Sequence, residues 1–313
     1  MPDSRIRAHS IHVHQPSSNT SANHRLGLIQ IHIAAVLAGF TGLFGKFLPD
    51  VRPEVITLGR TLIGCLALGI VTRAMGTSLR VRGWRDFLIL AASGGLLAGH
   101  WITFFKAIQV STVAVGLLAL SSYPLFVTFL EPLLFRERLR LRDIGAALVV
   151  VAGLALVAGS LDMGSNATRG VLWGVFSGLL CSGLPLLSRF LVRGYSSMTV
   201  TFYQQGTAAL FVLPVVLIER PVVSGRTLAL LAVLGVVLTA LLHGLIVASL
   251  RHLRAQTVSI VIGLEPVYGI LFAALLLGEV PTLRMIAGGV LICAAVLATT
   301  LNHASPEPAA AIG

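Results

Sequence analysis

Arg60, His100, His243 and Glu265 stand inside stretches that are otherwise apolar, and Tyr123, Gln204 and Gln205 add uncharged hydrogen-bonding groups in similar surroundings. Each type brings its own chemistry. A glutamate away from water can hold an amine or trade a proton for one. An arginine keeps its charge and offers five N–H groups, which suits a substrate carboxylate or a buried acid. A histidine takes up protons near neutral pH, and a glutamine can line a polar cavity. The structural alternatives are a protonated glutamate bonded to a neighbouring helix, an arginine that snorkels outward or clamps backbone carbonyls, and histidines that link two helices. In hydrocarbon a charged group costs at least about 2.5–3.5 kcal/mol, so its presence needs a reason.

The same residues also exclude chemistry. They are scattered singly, whereas an intramembrane enzyme on lipid-linked substrates needs acid, base and phosphate-binding groups on one face. No Gly-rich loop precedes a Lys and a Ser or Thr, so no ATP motor is expected. Neither a His-Glu-x-x-His helix nor a Gly-x-Ser-x-Gly turn occurs. Cys65, Cys181 and Cys293 each fall in an apolar stretch and read as small packing residues. Catalytic residues, a metal and a cofactor are therefore not expected. The N-terminal His9, His12 and His14 form a weaker metal candidate.

The elements that must carry these groups are membrane helices. The chain is 56% hydrophobic and 11% charged, against about 25% charged in soluble domains. Apolar stretches recur at 26–47, 53–73, 86–108, 111–135, 141–160, 170–190, 197–218, 227–250, 256–278 and 282–302. Each is near the length of about 20 residues that crosses a bilayer. The fold class expected is all-α membrane, with ten transmembrane helices. Residues 1–25 and 303–313 read as polar tails, and the first 25 lack the apolar core of a cleavable signal. At about 1.5 Å per residue, Glu265 lies about 14 Å deep, near the midplane, and Arg60 about 10 Å deep.

A net charge of +11 could suggest nucleic acid, but its distribution argues for a membrane. With a cytoplasmic N-terminus, fifteen Lys and Arg fall on the inner side and seven on the outer, with Arg60 left inside a helix. The positive-inside rule then predicts both termini in the cytoplasm, in the inner (plasma) membrane. No basic module of nucleic-acid type interrupts this pattern.

The chain also repeats itself. Ser121 to Gly153 resembles Gly263 to Ala295 at a shift of 142 residues, pairing Tyr123 with Glu265, Pro124 with Pro266, and Glu137 with Glu279. His243 falls within one residue of the mate of His100. Five spans per half is an odd number, so the second half must enter the membrane upside down. The repeats expected are 26–160 and 170–302, joined near Asp162–Arg169. Inverted repeats of this size are the build of secondary transporters, whose substrate sites lie between the halves near the midplane. Pro124 and Pro266 each remove a backbone hydrogen bond within a span, which makes them candidate hinges. Gly170, Gly174 and Gly178, like Gly95 and Gly99, recur every four residues and predict close helix packing. Trp84, Trp101 and Trp173 read as interface anchors or packing residues. Glu137 and Glu279, at span ends, read as partners of helix N-termini.

The paired motifs, Tyr123–Pro124 with Arg136–Glu137–Arg138 and Glu265–Pro266 with Gly278–Glu279, resemble those of the EamA family in the drug/metabolite transporter superfamily. The resemblance extends over 26–302. It implies two inverted helix bundles, a central cavity opened alternately to either side, and export of small metabolites such as amino acids. The family does not as a class need a carboxylate at the position of Glu265, so a coupling role for it is read from this chain alone. The expectation is a transporter with a small-molecule substrate, the lipid bilayer as its surroundings, protons as a candidate coupling ion, and a monomer or homodimer. The alternatives are a multidrug or cation efflux protein, which has no use for Arg60 as a carboxylate ligand, and the intramembrane enzyme.

Overall fold

The computed structural model describes residues 18–135, 141–160, 162–191, 194–253 and 255–303. The expected tails beyond 18 and 303, the arginine-rich turn with Glu137, and Arg193 and Arg254 lie outside the described residues. Ten spans follow in order. Span 1 is Ser18–Thr41 continued by Phe44–Phe47, span 2 is Pro53–Ala74 and span 3 is Trp84–Val110. Span 4 comes in two pieces, Val113–Leu120 and Tyr123–Phe135, and span 5 is Leu141–Ala158. Span 6 is Asn166–Leu191 and span 7 is Ser197–Glu219. Span 8 runs Gly225–Gly235, then a π turn at Val236–Leu241, then Leu242–Ser249. Span 9 is Ala255–Ile262 and Glu265–Leu277, and span 10 is Leu283–His303. Eight spans are long and apolar enough to cross a membrane, and spans 5 and 10 add shorter apolar helices. Span 1 starts well before the apolar stretch at 26, because its first turns are polar and extend the helix beyond the hydrocarbon.

Burial runs opposite to that of a soluble protein. Ile70, Ile218 and Leu275 stay exposed, while Thr61, Ser93, Ser177 and Thr239 are fully buried. The apolar exterior meets lipid, and small hydroxyl residues sit where helices touch. Local chemistry sets the starts of several spans. Pro53 opens span 2, and the side chains of Thr112, Ser196 and Ser224 accept from the backbone N–H of Val115, Thr199 and Thr227.

The two halves interlock. The most extensive packing pairs span 3 with span 6, and the equivalent pair under the repeat is span 8 with span 1. Span 4 packs on span 6 as span 9 does on span 1, and span 3 on span 7 as span 8 does on span 2. Spans 2 and 7, 4 and 9, and 5 and 10 pair across the pseudo-twofold. Glycine makes these approaches possible. A Cβ on Gly288 of span 10 would sit 2.5 Å from the Gly153 carbonyl of span 5. Gly170, Gly174 and Gly178 all face span 4, so that stripe packs within the chain.

Spans 4 and 9 break at equivalent points. Both stop for two residues, Ser121–Ser122 and Gly263–Leu264, and restart at Tyr123 and Glu265. In each break an N–H turns to the carbonyl three residues back, Ser122 to Ala119 at 3.2 Å and Leu264 to Val261 at 3.1 Å. Pro124 and Pro266 occupy the second position of the new helix, where a missing N–H costs nothing. The expected bend is thus a full interruption, with the proline opening the second piece.

Candidate functional site

Glu265 heads the second piece of span 9, and Tyr123 heads that of span 4. The carboxylate therefore stands at the positive end of a half-helix near the middle of the bundle. Gly39 of span 1 lets the backbones close on this point, since a Cβ there would lie 2.8 Å from the Glu265 carbonyl. Tyr123 is 37% exposed. Glu265 is half-buried and lies within electrostatic reach of Tyr123, of Cys181 of span 6 and of Arg60 of span 2.

Arg60 is 1% exposed. Its guanidinium lies flat on Trp101 of span 3, with Cζ 3.3 Å from the ring centroid. Its Nη2 donates to the Leu238 carbonyl at 3.2 Å. That carbonyl lies in the π turn, where the Leu242 N–H bonds to the Thr239 and Val237 carbonyls rather than to Leu238. The Thr239 hydroxyl donates to the Leu234 carbonyl at 2.9 Å. The arginine therefore does clamp a backbone carbonyl, but in mid-span rather than at a helix end. It forms no ion pair among the described residues, where the pairs are Lys46–Glu279, Arg52–Glu54, Arg52–Glu219 and Arg189–Glu131.

The histidines flank this group. His100 lies tilted against Trp101 with centroids 4.7 Å apart, and its Nδ1 lies 2.8 Å from the Ser177 hydroxyl of span 6. Ser177 spends its own proton on the His100 carbonyl at 2.9 Å, so Nδ1 is the donor between them. His243 Nδ1 meets the Thr239 carbonyl at 2.8 Å, and a carbonyl only accepts. When neutral, both rings carry the proton on Nδ1 and leave Nε2 as an acceptor. Gln204 and Gln205 lie elsewhere. Gln204 lines a cavity of about 180 Å³ with Ser188, Tyr195 and Thr201, at the end of the bundle that carries the termini. Gln205 is buried with its Oε1 unpartnered. At the opposite end a cavity of about 470 Å³ is lined by Asp50, Arg52, Glu54, Lys106, Gln109 and Trp173.

Trp101 and the Leu238 carbonyl escaped the sequence reading. Nothing linear ties Trp101 to Arg60. The π turn left a faint trace, because the close-approach glycines Gly94 and Gly235 are 141 residues apart whereas spans 4 and 9 repeat at 142. One inserted residue between those points is what a π turn supplies.

Each end of the bundle has its own polar knot. At the end opposite the termini, Glu279 Oε2 accepts from the Val113 N–H at 2.8 Å, and Oε1 lies 3.6 Å from Lys46 Nζ. Lys46 also donates to the Ser111 carbonyl at 2.5 Å. Glu279 meets a helix N-terminus as expected, that of span 4 rather than of the helix that follows it. At the other end Tyr195 donates to Asp86 and accepts from the Arg82 N–H. Burial and the Asp86 bond raise the pKa of this phenol above its ordinary value. Glu131 pairs with Arg189 at 2.5 Å. No group of three or more metal-ligating side chains occurs among the described residues.

The sequence profile of the EamA-like transporter family matches residues 25–159 and again 168–301. This chain belongs to the EamA-like transporter family. An uncharacterized transporter of Archaeoglobus fulgidus is 30% identical over 274 residues, covering 87% of this chain and 96% of the relative. The uncharacterized transporter YxxF of Bacillus subtilis is 25% identical over 92% of this EamA-like chain and 94% of its own. The pseudopaline exporter CntI of Pseudomonas aeruginosa is 26% identical, covering 85% and 94%. A protein of known crystal structure shares the fold, with a TM-score of 0.61 at 19% identity, covering 92% of this chain and 100% of that one. The chain is a multi-pass membrane transporter of ten helices in two inverted five-helix repeats.

Proposed function

We propose that this EamA-like protein is a secondary transporter that exports small amphipathic metabolites, amino acids among them, by alternating access, and that it performs no catalysis. The observation that carries the reading is the pair of equivalent breaks in spans 4 and 9, which set Tyr123 and Glu265 at helix starts near mid-bilayer. Discontinuous helices at the pseudo-twofold are where transporters of inverted-repeat build bind substrate and coupling ion. Export agrees with one relative being named an exporter. The charge asymmetry assigns both termini to the cytoplasm of the inner membrane. The polar knots then lie at the outer and inner mouths, on either side of the central groups. Glu265 exchanges a proton against a substrate amine, with His100 and His243 as nearby proton acceptors and Arg60 as the fixed charge. Pro124 and Pro266 open the pieces that move. A cation efflux protein would share Glu265 but leave Arg60 without use.

Export profiling tests this reading. Medium from cells with the wild-type protein, with Glu265→Gln, and with neither should differ in a small set of metabolites. Glu265→Gln should abolish that export or flatten its dependence on pH between about 5.5 and 8.5, because it removes the exchangeable proton. Tyr123→Phe, which removes one hydroxyl, should do less. Wild-type rate and pH profile in Glu265→Gln would make the carboxylate structural.

A further inference from the structure

We infer that the exported substrate carries a carboxylate, and that Arg60, laid flat on Trp101 and anchored by the π turn of span 8, is its receptor. This rests on the transporter reading above and narrows its substrate class.

The argument begins from a count of donors. A guanidinium has five N–H groups in a planar fork. Leu238 takes one hydrogen of Nη2, while Nε and Nη1 have no partner although both are buried. Whichever hydrogen of Nη2 the carbonyl uses, one two-pronged edge stays whole, either Nε with Nη2 or Nη1 with Nη2. Such an edge fits the two oxygens of a carboxylate. The indole Nε1 of Trp101 is also buried and unpartnered, on the ring that carries the guanidinium. The Thr57 hydroxyl, three residues before Arg60 on the same face of span 2, is a further buried group without a partner. Buried polar groups are nearly always bonded, so orphans gathered around one cation point to a missing ligand. Most of them are donors, and the ligand must therefore accept.

Charge selects among acceptors. Arg60 has no anion within ion-pair distance among the described residues, and an unpaired buried cation calls for a counter-ion. The Glu265 carboxylate lies within electrostatic reach without forming that pair. A dianion such as a phosphate ester would meet one arginine and be repelled by Glu265. A monocarboxylate that also carries an amine satisfies both. The flat seat on Trp101 holds the fork in one plane and leaves its edge free, which a lysine could not reproduce.

The test uses two measurements. In the first, the full-length protein carries Trp84→Phe and Trp173→Phe, so that Trp101 is the sole indole, and is placed in lipid nanodiscs. The probes are the pooled standard amino acids and the matching pool of amino-acid amides, which keep the amine and side chain but lack the carboxylate. Trp101 fluorescence should respond to the acids at concentrations at least about 100-fold lower than to the amides, because a site built to bond a group rejects analogues without it. Arg60→Gln should erase that preference. Arg60→Lys, which keeps the charge and guards against a folding artefact, should retain only part of it. An equal response to both pools, no response to the acids at millimolar concentration, or a preference that survives Arg60→Gln overturns the inference. In the second, the compounds whose export depends on the wild-type protein are identified. Carboxylates that disappear with Arg60→Gln support the inference. Exported compounds without a carboxylate overturn it and leave the transporter reading standing. No exported compound at all removes that reading, and this inference with it.

Discussion

Glu279 is the sharpest place to test the packing energetics. Its carboxylate joins three spans at one mouth, accepting from the Val113 N–H at 2.8 Å while Lys46 stands 3.6 Å away. Gly278 makes this reach possible, since its φ of 67° ends span 9 in a left-handed turn. A charge-assisted bond to a helix N-terminus contributes about 1.5–3 kcal/mol. The ion pair has side chains 23% and 18% exposed, and after discounting for screening it adds about 0.5–1 kcal/mol. Glu279→Ala should therefore destabilise the protein by about 2–4 kcal/mol. Glu279→Gln keeps an oxygen for the Val113 N–H and should cost about 1–2 kcal/mol. Combined with Lys46→Met, the double-mutant cycle should show a coupling of about 0.5–1 kcal/mol. The assay is reversible unfolding in mixed micelles with added SDS, followed by circular dichroism. A loss below about 0.5 kcal/mol for Glu279→Ala would refute the reasoning, as that is the range of an ordinary surface change. Equal losses for Ala and Gln would show that the charge, not the acceptor, holds the helix start.

Replacing both Pro124 and Pro266 with Ala should let spans 4 and 9 run continuous and slow transport while insertion persists, and a normal transport rate in vesicles would remove these breaks from the cycle. Gly288→Ala should cost about 1–3 kcal/mol by overpacking against the Gly153 carbonyl, read in the same micelle assay, whereas Gly244→Ala meets nothing within 4 Å and should be neutral or better. A topology reporter fused after residue 165 should report the outer side, and cytoplasmic exposure there would contradict the assignment of both termini to the cytoplasm.

Apolar length and repetition are properties of a line, and so the ten spans and the 142-residue register could be read without coordinates. The equivalence of Tyr123 and Glu265 came from that register, and the matching breaks at Ser121–Ser122 and Gly263–Leu264 follow it residue for residue. Which span lies beside which could not be read. A helix in lipid is apolar on every side, so no stripe marks its neighbour. That is why Trp101 passed for a packing residue and Ser177 went unnoticed as the partner of His100. The π turn was hidden for another reason. It answers to Arg60 of span 2 donating to the Leu238 carbonyl, a tertiary contact that local propensity does not encode.

The interlocking of the halves has a consequence for how the chain is made. Span 1 packs on spans 8 and 9, and span 5 on span 10. A helix leaving the ribosome first must therefore wait for nearly the whole chain before it meets its neighbours. During that interval Arg60 has Trp101 from its own half but lacks the Leu238 carbonyl of the other, and each span must hold its place in the bilayer by its own hydropathy. Contacts so distant in sequence also make assembly slow. A chain truncated before span 10 should leave span 5 without its main partner and be cleared by membrane quality control, even though nine of its spans could insert.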